Sequence, residues 1–110
     1  MSAARGAGGP RDGLRELAEL EHVFKALAHP ARRQILLGLH FRGGEMASGA
    51  IAERFSCAWP TITRHLSILR EAELVSVEVR GRERLYVLDR ERLKRVVGEW
   101  LAWFDRPPAA

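Results

Sequence analysis

Lysine is nearly absent from this chain. Lys25 and Lys94 are the only two in 110 residues, so the formal net charge of +4 is carried by arginine. Arginine's planar fork suits phosphate oxygens and guanine edges better than an ammonium point charge, although a genome rich in G and C would favour arginine codons by itself. Cysteine is scarcer still. Cys57 stands alone, which excludes a disulfide within the chain and a cysteine cluster that could hold zinc. No apolar run approaches the roughly 20 residues of a membrane span. The opening MSAARGAGGPRDG lacks the apolar stretch of a secretion signal, so a cytoplasmic protein is expected. No internal repeat is visible.

What is present is enough for a folded domain. Hydrophobic residues make up 46% of the chain and are spread along it, so it should fold rather than remain disordered. A chain of this length forms one domain with a modest core, and the apolar surface left over favours a dimer.

Residues 1–13, rich in Gly, Ala and Pro and without periodicity, read as a flexible tail. From Leu14 the pattern turns helical, with Leu17, Leu20, Phe24 and Leu27 in steps of three and four. His29–Pro30 ends this helix, and Pro30 suits the first position of the next. The second helix directs Ile35, Leu36 and Leu39 inward, with Arg32 and Arg33 expected on its other side. FRGGEM reads as a loop, and a short helix follows over about Ser48 to Phe55. SCAW is a tight turn into WPTITRHLSILRE, where Ile62, Leu66 and Leu69 line one side and Thr63, Arg64 and Ser67 the other, with Thr61 on a flank. Two helices joined so closely, the second amphipathic with a polar outer face, fit a helix-turn-helix.

The period then changes to two. Val75, Val77 and Val79 alternate with polar residues, Gly81 allows a turn, and ERLYVL returns as a second strand. This hairpin, residues 75–88, carries Arg80, Arg82 and Arg84 at its tip. Asp89 is an N-cap candidate for a last helix bearing Leu93, Val96, Val97, Trp100, Leu101 and Phe104, with Trp103 at the margin of the stripe. Residues 106–110 read as a second tail. The fold class expected is mainly α with a small β-hairpin: a winged helix-turn-helix over 14–105, with added N- and C-terminal helices.

Three blocks, VFKALAHPARRQILLGL, IAERFSCAWPTITRHLSILREAELV and GRERLYVL, together resemble the ArsR/SmtB family of bacterial winged-helix repressors, and the tryptophan-bearing last helix and the GGEM loop look most like its SdpR-type autorepressor branch. The resemblance spans about Leu20 to Phe104. It implies a homodimer paired through the first and last helices, here Leu17, Leu20 and Phe24 with Val96, Val97, Trp100, Leu101, Trp103 and Phe104. It also implies a recognition helix in the DNA major groove, presenting Trp59, Thr61, Thr63, Arg64 and Ser67, and a wing contacting flanking DNA through Arg80, Arg82 and Arg84. Two departures stand out. The family places Ser or Thr where this chain has Ala58, and a branched aliphatic is common where it has Cys57. A missing N-cap of this kind costs ~1 kcal/mol.

Metal sensors of this family carry paired cysteines on the helix before the turn. SGAIAERF has none, nor any histidine, so no metal and no cofactor is expected. His22, His29 and His40 have no ligand spacing, and His65, at the edge of the apolar side of its helix, reads as a packed, hydrogen-bonded residue. No nucleophile–base–oxyanion constellation is evident, so no enzyme is expected. A homodimeric repressor on a palindromic operator is the leading reading. A winged helix that binds protein rather than DNA stays open, as does a thiol- or metal-responsive regulator using Cys57.

Overall fold

The computed structural model describes residues 10–55 and 58–108. Their elements run α1 (Pro10–Leu27), α2 (Pro30–Phe41), β1 (Glu45–Ala47), α3 (Ser48–Phe55), α4 (Trp59–Glu71), β2 (Val75–Arg80), β3 (Glu83–Leu88) and α5 (Arg90–Ala102), closed by a 3₁₀ turn at Trp103–Asp105. The winged helix-turn-helix expected from the period changes is therefore present, with helices added at both ends. Cys57 and residues 1–9 of the expected tail lie outside the described residues.

The break between α1 and α2 has a local cause. His29 is extended, its Nδ1 accepts the Ala31 N–H at 3.2 Å, and Pro30 opens α2 where its missing N–H has no cost. Asp89 caps α5 in the same way, accepting the Arg92 N–H at 3.0 Å. The core lies where α1, α2 and α4 converge on the sheet: Val23, Ile35, Leu39, Ile51, Ile62, Leu69 and Leu74 are wholly buried there. Each such aliphatic stabilises the fold by ~1.5–3 kcal/mol.

Three expectations are corrected. The segment FRGGEM is not all loop: Glu45–Ala47 pairs antiparallel with β3, Met46 opposite Tyr86, giving a three-stranded sheet of order β1-β3-β2 rather than a lone hairpin. A strand of three residues is too short to show a period of two, and its pairing is set by the neighbouring strand. The first helix starts at Pro10, not Leu14, because proline is well suited to a first helical turn. Arg32 does not share the outer side of α2 with Arg33. It is buried, donating from Nε to the Ala26 carbonyl at 2.8 Å and from Nη2 to the Lys25 carbonyl at 3.0 Å. The open carbonyls at the end of α1 draw the guanidinium inward, since a buried charge must find acceptors.

Candidate nucleic-acid interface

Helix α4 divides as its sequence divides. Ile62, Leu66 and Leu69 are buried, while Thr61, Thr63, Arg64 and Ser67 are exposed. Trp59, at the entry to the helix, is half exposed. Thr63 Oγ1 donates to the Trp59 carbonyl at 2.9 Å. That bond uses its only proton and leaves oxygen lone pairs and the methyl group facing outward. Arg64 has no ion pair or hydrogen bond among the described residues, so its fork is free to bind.

The start of α4 explains how Ala58 is tolerated. No side chain caps the helix. Pro60 brings no N–H, however, and the Thr61 and Ile62 N–H groups both donate to the Ala58 carbonyl, at 3.0 and 3.1 Å. Few amides of the first turn remain for a serine hydroxyl to satisfy, so the cost expected of the missing cap is largely removed.

A buried polar pair holds α4 against the end of α1. His65, 6% exposed, accepts from Arg32 Nη1 through Nδ1 at 3.3 Å. A guanidinium can only donate, so this ring is neutral with its proton on Nε2. The His29 ring lies 4.7 Å away, centroid to centroid. Burial, followed by the charges of His29, Arg32 and Arg64, lowers the His65 pKa from the usual histidine value. The packed, hydrogen-bonded histidine read from the sequence is thus present. The partner was missed, although Arg32, Ile35, Leu36 and Leu39 stand at helical spacings of three, four and seven that place them on one face.

The wing is a two-residue hairpin, with Gly81 at φ 61° in the turn and the positive φ supplied by the residue that adopts it without strain. Its three arginines are not equivalent. Arg80 grips Glu45 with two bonds, at 2.7 and 3.0 Å, and Glu78 with a third at 2.8 Å. These carboxylates, the hydrogen bond to Glu45 first, raise its pKa further. Arg80 fastens the wing to β1, a role the sequence does not signal because three residues are too few to mark Glu45–Ala47 as a strand. Arg82 and Arg84 are exposed and unpaired among the described residues.

The third group of predicted residues lies on α1, α5 and the closing 3₁₀ turn. Trp100 stacks edge-on against Phe24 and Phe104, ring centroids 5.1 Å apart in each pair. Val96 is buried, and Leu20 and Val97 pack on the core. Leu17, Leu101, Trp103 and Phe104 are each more than half exposed, with Leu14 beside them. No helix among the described residues is long and apolar enough to cross a membrane, and no group of three or more His, Cys, Asp or Glu residues among them could hold a metal ion.

A polar-faced second helix of a helix-turn-helix, flanked by a basic two-stranded wing, defines a winged-helix DNA-binding domain. A family described as a helix-turn-helix domain matches residues 27–78. The transcriptional repressor SdpR of Bacillus subtilis is 39% identical over 87 residues, which are 79% of this chain and 94% of that protein. Among solved structures, an ArsR-like transcriptional regulator from Rhodococcus superposes with a TM-score of 0.69 at 29% identity, over 82% of this chain and 86% of its own. A homodimeric winged helix-turn-helix DNA-binding domain from Mycobacterium bovis gives 0.69 at 26% identity, over 90% and 91%. The chain belongs to the ArsR family of winged helix-turn-helix transcriptional regulators.

Proposed function

We propose that this protein is a homodimeric repressor that occupies a palindromic operator, with α4 in the major groove and the wing on flanking DNA. The observation that carries the reading is the exposed Thr61, Arg64 and Ser67 face of α4 together with exposed Arg82 and Arg84 on the wing, none of these arginines being paired among the described residues. Arg64 is the base reader, because a guanidinium can bond guanine O6 and N7 together. Ser67, Thr61 and the Thr63 methyl and lone pairs contact phosphates or a thymine methyl, Trp59 lies along the backbone, and Arg82 and Arg84 bind phosphates or the minor groove. Arg80, already held by Glu45 and Glu78, shapes the wing.

Dimerisation is supported by the exposed apolar residues of α1 and α5 and by the homodimeric M. bovis relative. A two-fold pair would set its recognition helices about one turn of DNA, ~10 bp, apart. The site of action would be the cytoplasm, at the nucleoid. Fluorescence anisotropy against a palindrome from the protein's own genome and a scrambled duplex of equal length tests the reading. Tighter binding to the palindrome, falling steeply with added salt, is the expected result. Equal affinity for both duplexes removes the specific regulator, and insensitivity to salt favours a protein-binding winged helix.

A further inference from the structure

The seam between α2 and α5 holds a groove that lies off the α4 face and has no part in the reading above. Leu36, Leu88 and Leu93 form its floor, with Leu37, 55% exposed, at the lip. Its volume is about 410 Å³, within the range of small-molecule sites. Around this apolar floor stand Arg33, His40, Arg90 and Lys94, and no carboxylate lines it.

The rim is set by contacts on the protein. Arg33 Nη1 donates to the Leu27 carbonyl at 2.7 Å, and Arg90 Nε donates to His40 Nδ1 at 2.8 Å. The Arg90 guanidinium also lies across Gly44, with Nη2 3.2 Å from where a β-carbon would stand. These bonds orient both forks and leave the other guanidinium N–H groups of Arg33 and Arg90 without an acceptor among the described residues. The Lys94 ammonium likewise has no acceptor among the described residues.

Arg80, Arg92 and Arg95 each meet a glutamate, whereas the cations of this groove, like Arg64, Arg82 and Arg84, meet no carboxylate among the described residues. Three cations spaced round an apolar groove, with no acid in its lining, are complementary to a molecule with a negative head and an apolar body. A nucleic-acid backbone is a poorer match, since it would lay charged phosphates over leucine.

We propose that this groove binds a free amphipathic carboxylate of the acyl class, its chain on Leu36, Leu88 and Leu93 and its head between Arg90 and Lys94. Arginine offers the carboxylate a two-pronged bond and lysine adds a point charge, while the leucine floor accounts for selectivity over a small anion.

Isothermal titration calorimetry on the full chain, with decanoate as probe and acetate and 1-decanol as controls, tests this without reference to DNA. One decanoate per protomer is expected, with 1-decanol at least tenfold weaker and acetate without measurable binding. The double variant Arg90→Gln/Lys94→Gln should bind decanoate at least tenfold more weakly. The variant Leu37→Glu, which sets a carboxylate at the lip on an exposed position, should do the same if the double variant proves unstable. No binding of decanoate, equal binding of 1-decanol, or undiminished affinity in a folded charge variant would each overturn the assignment.

Discussion

Arg64 and Arg82 carry the same charge, and neither is spent on a partner among the described residues. They stand on unlike elements, one on the helix proposed for the groove and one at the tip of the hairpin. Replacing each by alanine should therefore separate two kinds of recognition. Arg64→Ala should cost ~1–3 kcal/mol at one base pair and relax preference there, visible when binding is measured across an operator library. Arg82→Ala should weaken every sequence alike and lower the salt slope by ~1. Equal effects of the two on sequence preference would sink the division of labour.

The buried pair adds a pH dependence at the same scale. His65 is favoured neutral in the fold, so below about pH 6.5 the unfolded chain binds more protons than the folded one. Stability is full above that pH and falls as pH is lowered through it toward the depressed value of His65. Urea unfolding at pH 7 and pH 5.5 should show a larger loss in the parent than in His65→Gln, and matching losses would refute it. His65 was legible as a packed residue because it borders the Ile62, Leu66, Leu69 side of α4. The burial of its partner was misread because a charge at the start of a helix is usually solvated, and here the open carbonyls at Lys25 and Ala26 reverse that preference.

Among the elements, α1 and α5 are joined by more than their apolar stripes. Glu19 receives Arg92 at 2.7 Å and Arg95 at 3.1 Å. Its pKa lies below the usual carboxylate value, chiefly through the hydrogen bond from Arg95, with Arg92 adding to it against the opposing effect of burial. Glu19→Gln should destabilise the chain by ~1–2 kcal/mol, because Arg92 is largely buried and would lose the nearer of its two carboxylate partners, Glu73 standing farther off at 3.7 Å. In the parent that contribution is present at neutral pH and is lost as acid protonates Glu19, below about pH 4.3. Thermal melts at pH 7 and pH 3 check both: the variant should melt lower at pH 7, and its gap to the parent should narrow at pH 3.

Periodicity made every long element legible, since three- and four-residue steps and strict alternation survive any tertiary context. The β1 strand was not, because Glu45, Met46 and Ala47 owe their conformation to the β3 backbone. Its discovery reassigns Arg80, whose two bonds to Glu45 exist only because that strand brings the carboxylate under the wing. The polar face of α4 could be read from spacing, but the choice among the three wing arginines depended on pairings far apart in the chain.

For the whole molecule the question is what covers the apolar ends of α1 and α5. The radius of gyration of 16.4 Å exceeds the ~13 Å of a compact chain of about this length, as a protomer with unshared helices would. Leu17 offers a clean test. It is 58% exposed in the single chain, so Leu17→Glu should leave each protomer folded while placing a carboxylate in the proposed seam. Sedimentation should show a dimer for the parent and a monomer for the variant, with unchanged far-ultraviolet circular dichroism. A lone protomer holds one half-site only, so operator affinity should fall by about 100-fold or more as the second contact ceases to be intramolecular. Arg64 remains intact in this variant, so preference within a half-site should survive even as affinity drops. A variant that stays dimeric and keeps its operator affinity would place the pairing surface elsewhere on the molecule.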